Sequence, residues 1–220
     1  MRAGSGKKGR LRPAAPQRVQ KHVDAAALAD LDTQLMLALH DGDTSAGNAL
    51  VRRNFERVAG YLTRLIGDPA PVEDLAQDVF LQVFKSARRY EPTARFSTWL
   101  YRIATNAARN YLTRSTRRQQ LRAGSVESAG RPDLDRPAEP AETRSDAAPD
   151  RHLTLDEMRA QVAAALGSLP VNQRIALTLY EFEDLSYEQI AAILELSVEA
   201  VRGLLKRARH NLRPLLRELL

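Results

Sequence analysis

Apolar residues recur at three- and four-residue steps along most of this chain, a period that predicts helices. From Asp24 to Leu39 the apolar positions are Leu28, Leu31, Leu35 and Leu39, and Asp41-Gly42-Asp43 ends the segment as a turn. A second helix is predicted over about Ser45–Ile66, presenting Leu50, Phe55, Val58, Tyr61, Leu62 and Leu65, with Gly67-Asp68-Pro69 as its stop. A third runs from Val72 to about Arg88. Its apolar stripe is Val72, Leu75, Ala76, Val79, Phe80, Val83 and Phe84, and its outer face offers Glu73, Asp74, Gln77, Asp78 and Gln82. Such a face suits a protein partner, although an ordinary solvated face has the same pattern. Pro92 marks Tyr90–Ala94 as a loop, because the residue before proline is held extended.

The fourth predicted helix, Arg95–Arg118, is unusual. It holds the only Trp of the chain and six Arg, without one acidic residue. Phe96, Trp99, Leu100, Ile103, Ala107 and Tyr111 form an apolar stripe, while Arg102, Asn106, Arg109 and Thr113 form a polar one. Ser97 is placed as N-cap, with Phe96 and Tyr101 as a hydrophobic staple. A solvated face would interleave acids with the Arg residues as i,i+4 pairs. A cationic face with amides and aromatics instead suits phosphates and stacked bases.

After this helix the character changes. Residues 119–150 are rich in Pro, Ala, Ser and acids, with four Arg against seven acidic residues, and read as a disordered acidic linker. As a coil, about 38 residues (115–152) span roughly 35 Å, and fully stretched roughly 130 Å. Helical spacing then returns: Leu155–Leu166, Val171–Phe182, a short helix Tyr187–Leu194 with Ser186 and Gln189 as capping box, and a longer one, Val198–Leu212, capped by Ser197. The last two have helix-turn-helix spacing, with Ala191 at the crossing, Leu196 in the turn and Val201 in the core. A plain amphipathic hairpin is the alternative. The exposed cations Arg202, Lys206, Arg207, Arg209 and His210 favour DNA. Two all-α domains result, a helical bundle (23–118) and a helix-turn-helix domain (153–220), joined by a long flexible linker (119–152) and preceded by a basic, disordered tail (1–22).

Charge agrees with a polyanion partner: the 220 residues carry a net +6, and the sequence pI is about 9.9. Cysteine is absent, and the four His (His22, His40, His152, His210) are far apart, so neither a disulfide framework nor a metal site is expected. No phosphate loop, catalytic triad or paired carboxylates are evident, so no enzyme and no cofactor are expected. No apolar run is long enough to span a membrane, and no signal-peptide core follows the basic N-terminus. A cytoplasmic protein is the expectation.

Three segments, EDLAQDVFLQVF, FSTWLYRIATNAARNYL and SLPVNQRIALTLYEFEDLSYEQIAAIL, resemble the extracytoplasmic-function sigma factors of bacterial RNA polymerase. The resemblance covers roughly 31–118 and 155–213, in the same order. It implies a non-catalytic promoter-specificity subunit that binds core RNA polymerase and promoter DNA. It further implies a stress or signal response, with an anti-sigma factor as controlling partner and no domain beyond the recognition helix. By resemblance, Asp74, Leu75, Gln77, Asp78 and Phe80 bind core polymerase. Arg95, Phe96, Trp99, Arg102, Asn106, Arg109 and Asn110 hold the melted minus-ten strand, an unpaired base entering a pocket shaped by Tyr90–Phe96. Trp99 either faces that DNA or fills the core beneath the loop. Ser197, Glu199, Arg202, Gly203, Leu204, Lys206 and Arg207 occupy the minus-thirty-five recognition face. Gly203-Leu204 departs from the family's polar residue and Arg, which removes a contact worth about 1–3 kcal/mol unless Leu204 meets a thymine methyl. Glu195 stands in the turn where Gly is common, a strained choice if its φ is positive. The implied spacing of the two promoter elements, about two turns of duplex or roughly 60 Å, calls for a partly extended linker.

Overall fold

The structure, a computed structural model, describes residues 28–122 and 154–217. The basic tail and most of the expected acidic linker lie outside the described residues. Four helices precede the gap: α1 (Leu31–His40), α2 (Thr44–Ile66), α3 (Val72–Ser86) and α4 (Phe96–Arg122), with a 3-10 turn at Ala87–Arg89 after α3. Four follow it: α5 (Leu155–Gly167), α6 (Val171–Glu181), α7 (Tyr187–Leu194) and α8 (Val198–Arg217). No strand occurs among the described residues, in agreement with the all-α expectation.

Helix α2 is the spine of the first body, packing on α1, α3 and α4. Its core side is Leu50, Val58, Tyr61, Leu62 and Leu65, all essentially inaccessible, as the spacing predicts. Gly47 lies where α2 meets α3, and a Cβ there would overlap the ring of Phe84. Gly67 ends α2 in the left-handed region at φ 79°, its N–H returning to the Thr63 carbonyl.

Two elements depart from the periodicity reading. Helix α1 begins at Leu31, because Asp30 caps it by accepting from the Thr33 N–H at 3.0 Å. Leu28 and Leu31 are therefore exposed, and Met36 and Thr33 are buried instead, with Leu39 the one fully buried member of the expected stripe. Helix α4 starts at Phe96, two residues earlier than a Ser97 cap requires, so neither that cap nor the proposed staple forms. Its first N–H is satisfied from another helix: the Phe96 N–H donates to Thr33 Oγ at 3.0 Å. The buried side of α4 is Phe96, Leu100, Tyr101, Ala104, Thr105 and Ala108, while Trp99, Ile103, Ala107 and Tyr111 are only half-buried. The stripe is rotated because α2 is not α4's sole neighbour; α7 covers its other flank. The helix also continues to Arg122, past the residue where a linker is expected to start.

In the second body α6 is almost wholly buried between α8, α7 and α2. The capping box of Ser186 and Gln189 forms, as does the Ser197 cap, whose hydroxyl accepts from the Ala200 N–H at 3.1 Å. Glu195 adopts φ 58°, ψ 43°, so the turn does demand the left-handed conformation.

The two bodies touch. Arg174, buried at the start of α6, donates to the Gly167 and Leu169 carbonyls at 2.6 and 3.1 Å and to the Leu65 carbonyl of α2 at 2.6 Å. A guanidinium among helix C-terminal carbonyls is placed where the dipoles favour it, although burial lowers its pKa.

Candidate nucleic-acid interface

The loop before α4 borders a cavity. Arg89, Glu91, Thr93, Trp99 and Arg102 line a cavity of about 390 Å³. The 3-10 turn brings Arg89 to its rim, and the Thr93 N–H closes the loop on the Glu91 carbonyl at 2.8 Å. Trp99 stands edge-on to Tyr90 at 5.2 Å between centroids and tilted against Phe96 at 6.0 Å. Its inner edge packs on the core, one of the two positions the sequence left open, and its outer part lines the cavity. Phe96 is fully buried behind Trp99, so it is not itself a surface contact.

Beyond the pocket, Arg102, Asn106 and Asn110 stand exposed at four-residue steps on one face of α4, with Arg95 exposed at its start. Arg109 is not in that row. It turns toward the second body, where Nη2 donates to Asn172 Oδ1 at 2.8 Å, and burial lowers its pKa. Its Nε is buried without a hydrogen-bond partner among the described residues. Arg89 was missed by sequence reasoning. The signal was there, a basic pair directly before the loop.

On α3, Asp74, Gln77 and Asp78 are exposed together with Glu73 and Gln82, and Leu75 is half-buried at their edge. Phe80 belongs to the core: it is 4% exposed and stacked on Phe55 at 6.1 Å. The expectation that it contacts a partner directly is corrected. Its exposed neighbour is Leu81, at 52% the most accessible large apolar side chain of the first body, and it lies beside Asp78.

On α8, Glu199, Arg202, Lys206 and Arg207 are exposed, as is the capping Ser197, and Gly203 is half-buried. Leu204 is 5% exposed and packs inward with Val201, Leu205, Ala208 and Leu212. It cannot offer its methyls to a thymine, which overturns that expectation: the i, i+3, i+4, i+7 stripe places it in the core. Arg209, expected on the DNA face, instead grips Glu181 at 2.9 Å and lies 5.1 Å over the Tyr180 ring. Tyr180 stacks on Tyr187 at 5.2 Å, and Arg202 lies 5.8 Å over Tyr187. This cation–aromatic row pins the recognition helix to α6 and α7.

An acid-free helix beside a cavity, followed by a helix-turn-helix with a cationic outer face, has the chemistry of a nucleic-acid-binding protein. Sequence comparison agrees: residues 50–118 match Sigma-70 region 2, and residues 159–212 match Sigma-70, region 4. The chain is 35% identical over 198 residues to the RNA polymerase sigma-H factor of Pseudomonas aeruginosa, covering 85% of this chain and 96% of that protein. It is 33% identical over 198 residues to the ECF RNA polymerase sigma-E factor of Escherichia coli K12, covering 84% and 96%. Among solved structures, CnrH in complex with the cytosolic domain of CnrY superimposes with a TM-score of 0.61 at 26% identity, over 86% of this chain and 99% of that one. The chain belongs to the sigma-70 family of RNA polymerase sigma factors, as a member of the extracytoplasmic-function type. It is a transcription initiation factor that directs RNA polymerase to promoters. No helix among the described residues is long and apolar enough to cross a membrane, and no cluster of metal-binding side chains occurs among them.

Proposed function

We propose that the first body melts and holds the minus-ten element through the pocket and the α4 row, while α8 reads the minus-thirty-five element in the major groove. The carrying observation is the adjacency of a 390 Å³ cavity rimmed by Arg89 and Arg102 to the acid-free row Arg102, Asn106 and Asn110. Opening a base step costs a few kcal/mol, and a pocket that stacks the flipped base on an indole offsets it. Trp99 supplies that surface, Arg102 and Arg95 hold phosphates, and Asn106 and Asn110 read base edges. On α8, Arg202, Lys206 and Arg207 face the duplex with Glu199 at the helix start. Asp74, Gln77, Asp78 and Leu81 dock on core polymerase, with Leu75 at the margin and Phe80 supporting them from beneath.

In this reading the protein is not an enzyme; the polymerase performs the chemistry. It acts where polymerase and chromosome meet, in the cytoplasm, and a dedicated anti-sigma protein restrains it. The similarity to CnrH, solved with a cytosolic domain of another protein, supports such a partner. The segment between Arg122 and Leu155 serves as the tether between the two domains.

The deciding experiment combines capture of core polymerase with run-off transcription and permanganate footprinting of the melted strand. Arg102→Ala with Asn106→Ala should abolish the footprint and leave polymerase capture intact. Asp78→Ala with Leu81→Ala should weaken capture, and the footprint should fall with it and return at saturating core polymerase. Loss of capture in the Arg102 and Asn106 variant, or a footprint that saturating polymerase does not restore in the Asp78 and Leu81 variant, would mean that the faces are scaffold.

A further inference from the structure

Arg57 and Arg64 stand two turns apart on α2, with Tyr101 of α4 beside them, and none of the three belongs to the DNA or polymerase faces. The loop between α6 and α7 delivers Glu183 into this cluster. Although charged, Glu183 is 7% exposed. Its carboxylate accepts from the Tyr101 hydroxyl and lies 3.6 Å from Arg57 Nη2 and 3.5 Å from Arg64 Nη1. The contact is reinforced around its edge. Arg64 lies 4.6 Å over the ring of Phe182, Arg109 bonds Asn172, and Arg174 reaches the Leu65 carbonyl. All of these join one body to the other.

We propose that the Arg57–Arg64–Tyr101 face is a docking surface for the chain's own Glu183 loop, and that this clasp holds the free protein shut until it binds polymerase. The inference rests on the sigma-factor reading for its consequence, though not for the clasp itself. Bodies of this size are roughly 30 Å across, so in contact their centres are roughly 30 Å apart. Two promoter elements about two turns apart require roughly 60 Å. The closed form therefore cannot engage both elements, and it also withdraws Arg109 from the strand-holding helix. The segment between Arg122 and Leu155, about 32 residues, can reach roughly 110 Å when stretched, so the tether permits opening.

The chemistry of the clasp determines which substitutions break it. Glu183 is desolvated in the closed form, so its charge is tolerated only because two guanidiniums face it. Removing both cations strands a buried carboxylate. Making Glu183 neutral in the same background removes that burden while leaving an amide oxygen for Tyr101. Arg57 is exposed and Arg64 half-buried, with side chains 53% and 36% accessible, and neither belongs to a hydrophobic core, so their loss does not threaten the fold.

The absence of cysteine permits a clean test on the full chain. Asn48→Cys on α2 and Arg213→Cys on α8, both exposed and outside the clasp, carry a donor and an acceptor dye. Single-molecule energy transfer at neutral pH should show a dominant high-transfer population for the free protein, moved to low transfer by core polymerase. Arg57→Gln with Arg64→Gln should reduce the closed-to-open ratio at least about fivefold, and adding Glu183→Gln should restore it. Core-polymerase affinity should rise in the double variant in proportion to the gain in open fraction. A free protein already in low transfer, an unchanged ratio in the double variant, or no restoration by Glu183→Gln would overturn the clasp. Energy transfer as expected without any polymerase binding would leave the clasp standing and overturn the sigma-factor assignment instead.

Discussion

Thr33 and Phe96 are 63 residues apart, yet the Phe96 N–H donates to the Thr33 hydroxyl at 3.0 Å, and that hydroxyl in turn bonds the Asp30 carboxylate at 3.0 Å. One side chain thus joins the start of α1 to the start of the helix that lines the base pocket. Thr33→Val keeps the shape and removes the acceptor, leaving a buried N–H unpaired. The expected loss is about 1–3 kcal/mol of stability, with Thr33→Ser close to wild type. Urea denaturation followed by the Trp99 fluorescence reads this directly, because the indole packs on Phe96.

Gly47 gives a second prediction, of opposing terms. Ala at this position gains about 1 kcal/mol of helix propensity and loses about 1–3 kcal/mol to overlap with the Phe84 ring. Gly47→Ala alone should lower the melting temperature. Paired with Phe84→Leu, which shortens the obstacle, the same substitution should become neutral or stabilising. Additive effects of the two changes in a thermal melt would show that no steric conflict exists.

Arg202 and Leu204 are two residues apart and should fail differently. Arg202→Ala is expected to cost about 1–3 kcal/mol of base discrimination at one minus-thirty-five position, while its place over Tyr187 accounts for at most about 1 kcal/mol of stability. Leu204→Ala removes buried methyl groups and should cost about 2–5 kcal/mol of stability, with any DNA defect following from unfolding. Binding to a panel of single-base promoter variants, measured beside calorimetry, separates the two.

Glu183 makes closure pH-dependent. Burial raises its carboxyl above the ordinary value of 4.5, against the opposing pull of the Tyr101 hydroxyl, Arg57 and Arg64. The closed form therefore binds the proton more tightly than the open one. Its extra stability is complete below the ordinary value and is lost as pH rises through the raised one. Energy transfer between the two bodies should increase as the pH is lowered from neutrality toward 4.5 and then level off, and the Glu183→Gln chain should show no such slope.

Comparison of α3 with α4 shows how far the pattern of residues could be read. Helix α3 has one broad apolar neighbour side, and its stripe, its acidic outer face and its limits follow from spacing to within two residues. Helix α4 was found with equal ease, but its rotation was not. Trp99, Ile103 and Tyr111 fit the apolar stripe as well as Tyr101 and Ala104 do, and only the arrival of α7 on a second flank decides between them. The same reasoning applies to α1, where four well-spaced Leu residues outweighed Met36 on paper. A single cap at Asp30 then turned the helix so that Thr33 faced inward.

Local chemistry thus settled most of what this chain is: the helical periods, the Ser186 and Ser197 caps, and a cationic row free of acids all depend on neighbours within a turn or two. What required the tertiary structure are relationships between distant residues. Resemblance assigned Phe80 and Leu204 to contact surfaces, although Phe80 already lay on the apolar stripe of α3, and both are core. The identity of Arg109 announces a phosphate ligand, but Asn172 claims it in the closed form. Nothing near Glu183 in sequence foretells two guanidiniums and a phenol brought from 82 to 126 residues away, because burial of a charge depends on what the folded chain brings to it.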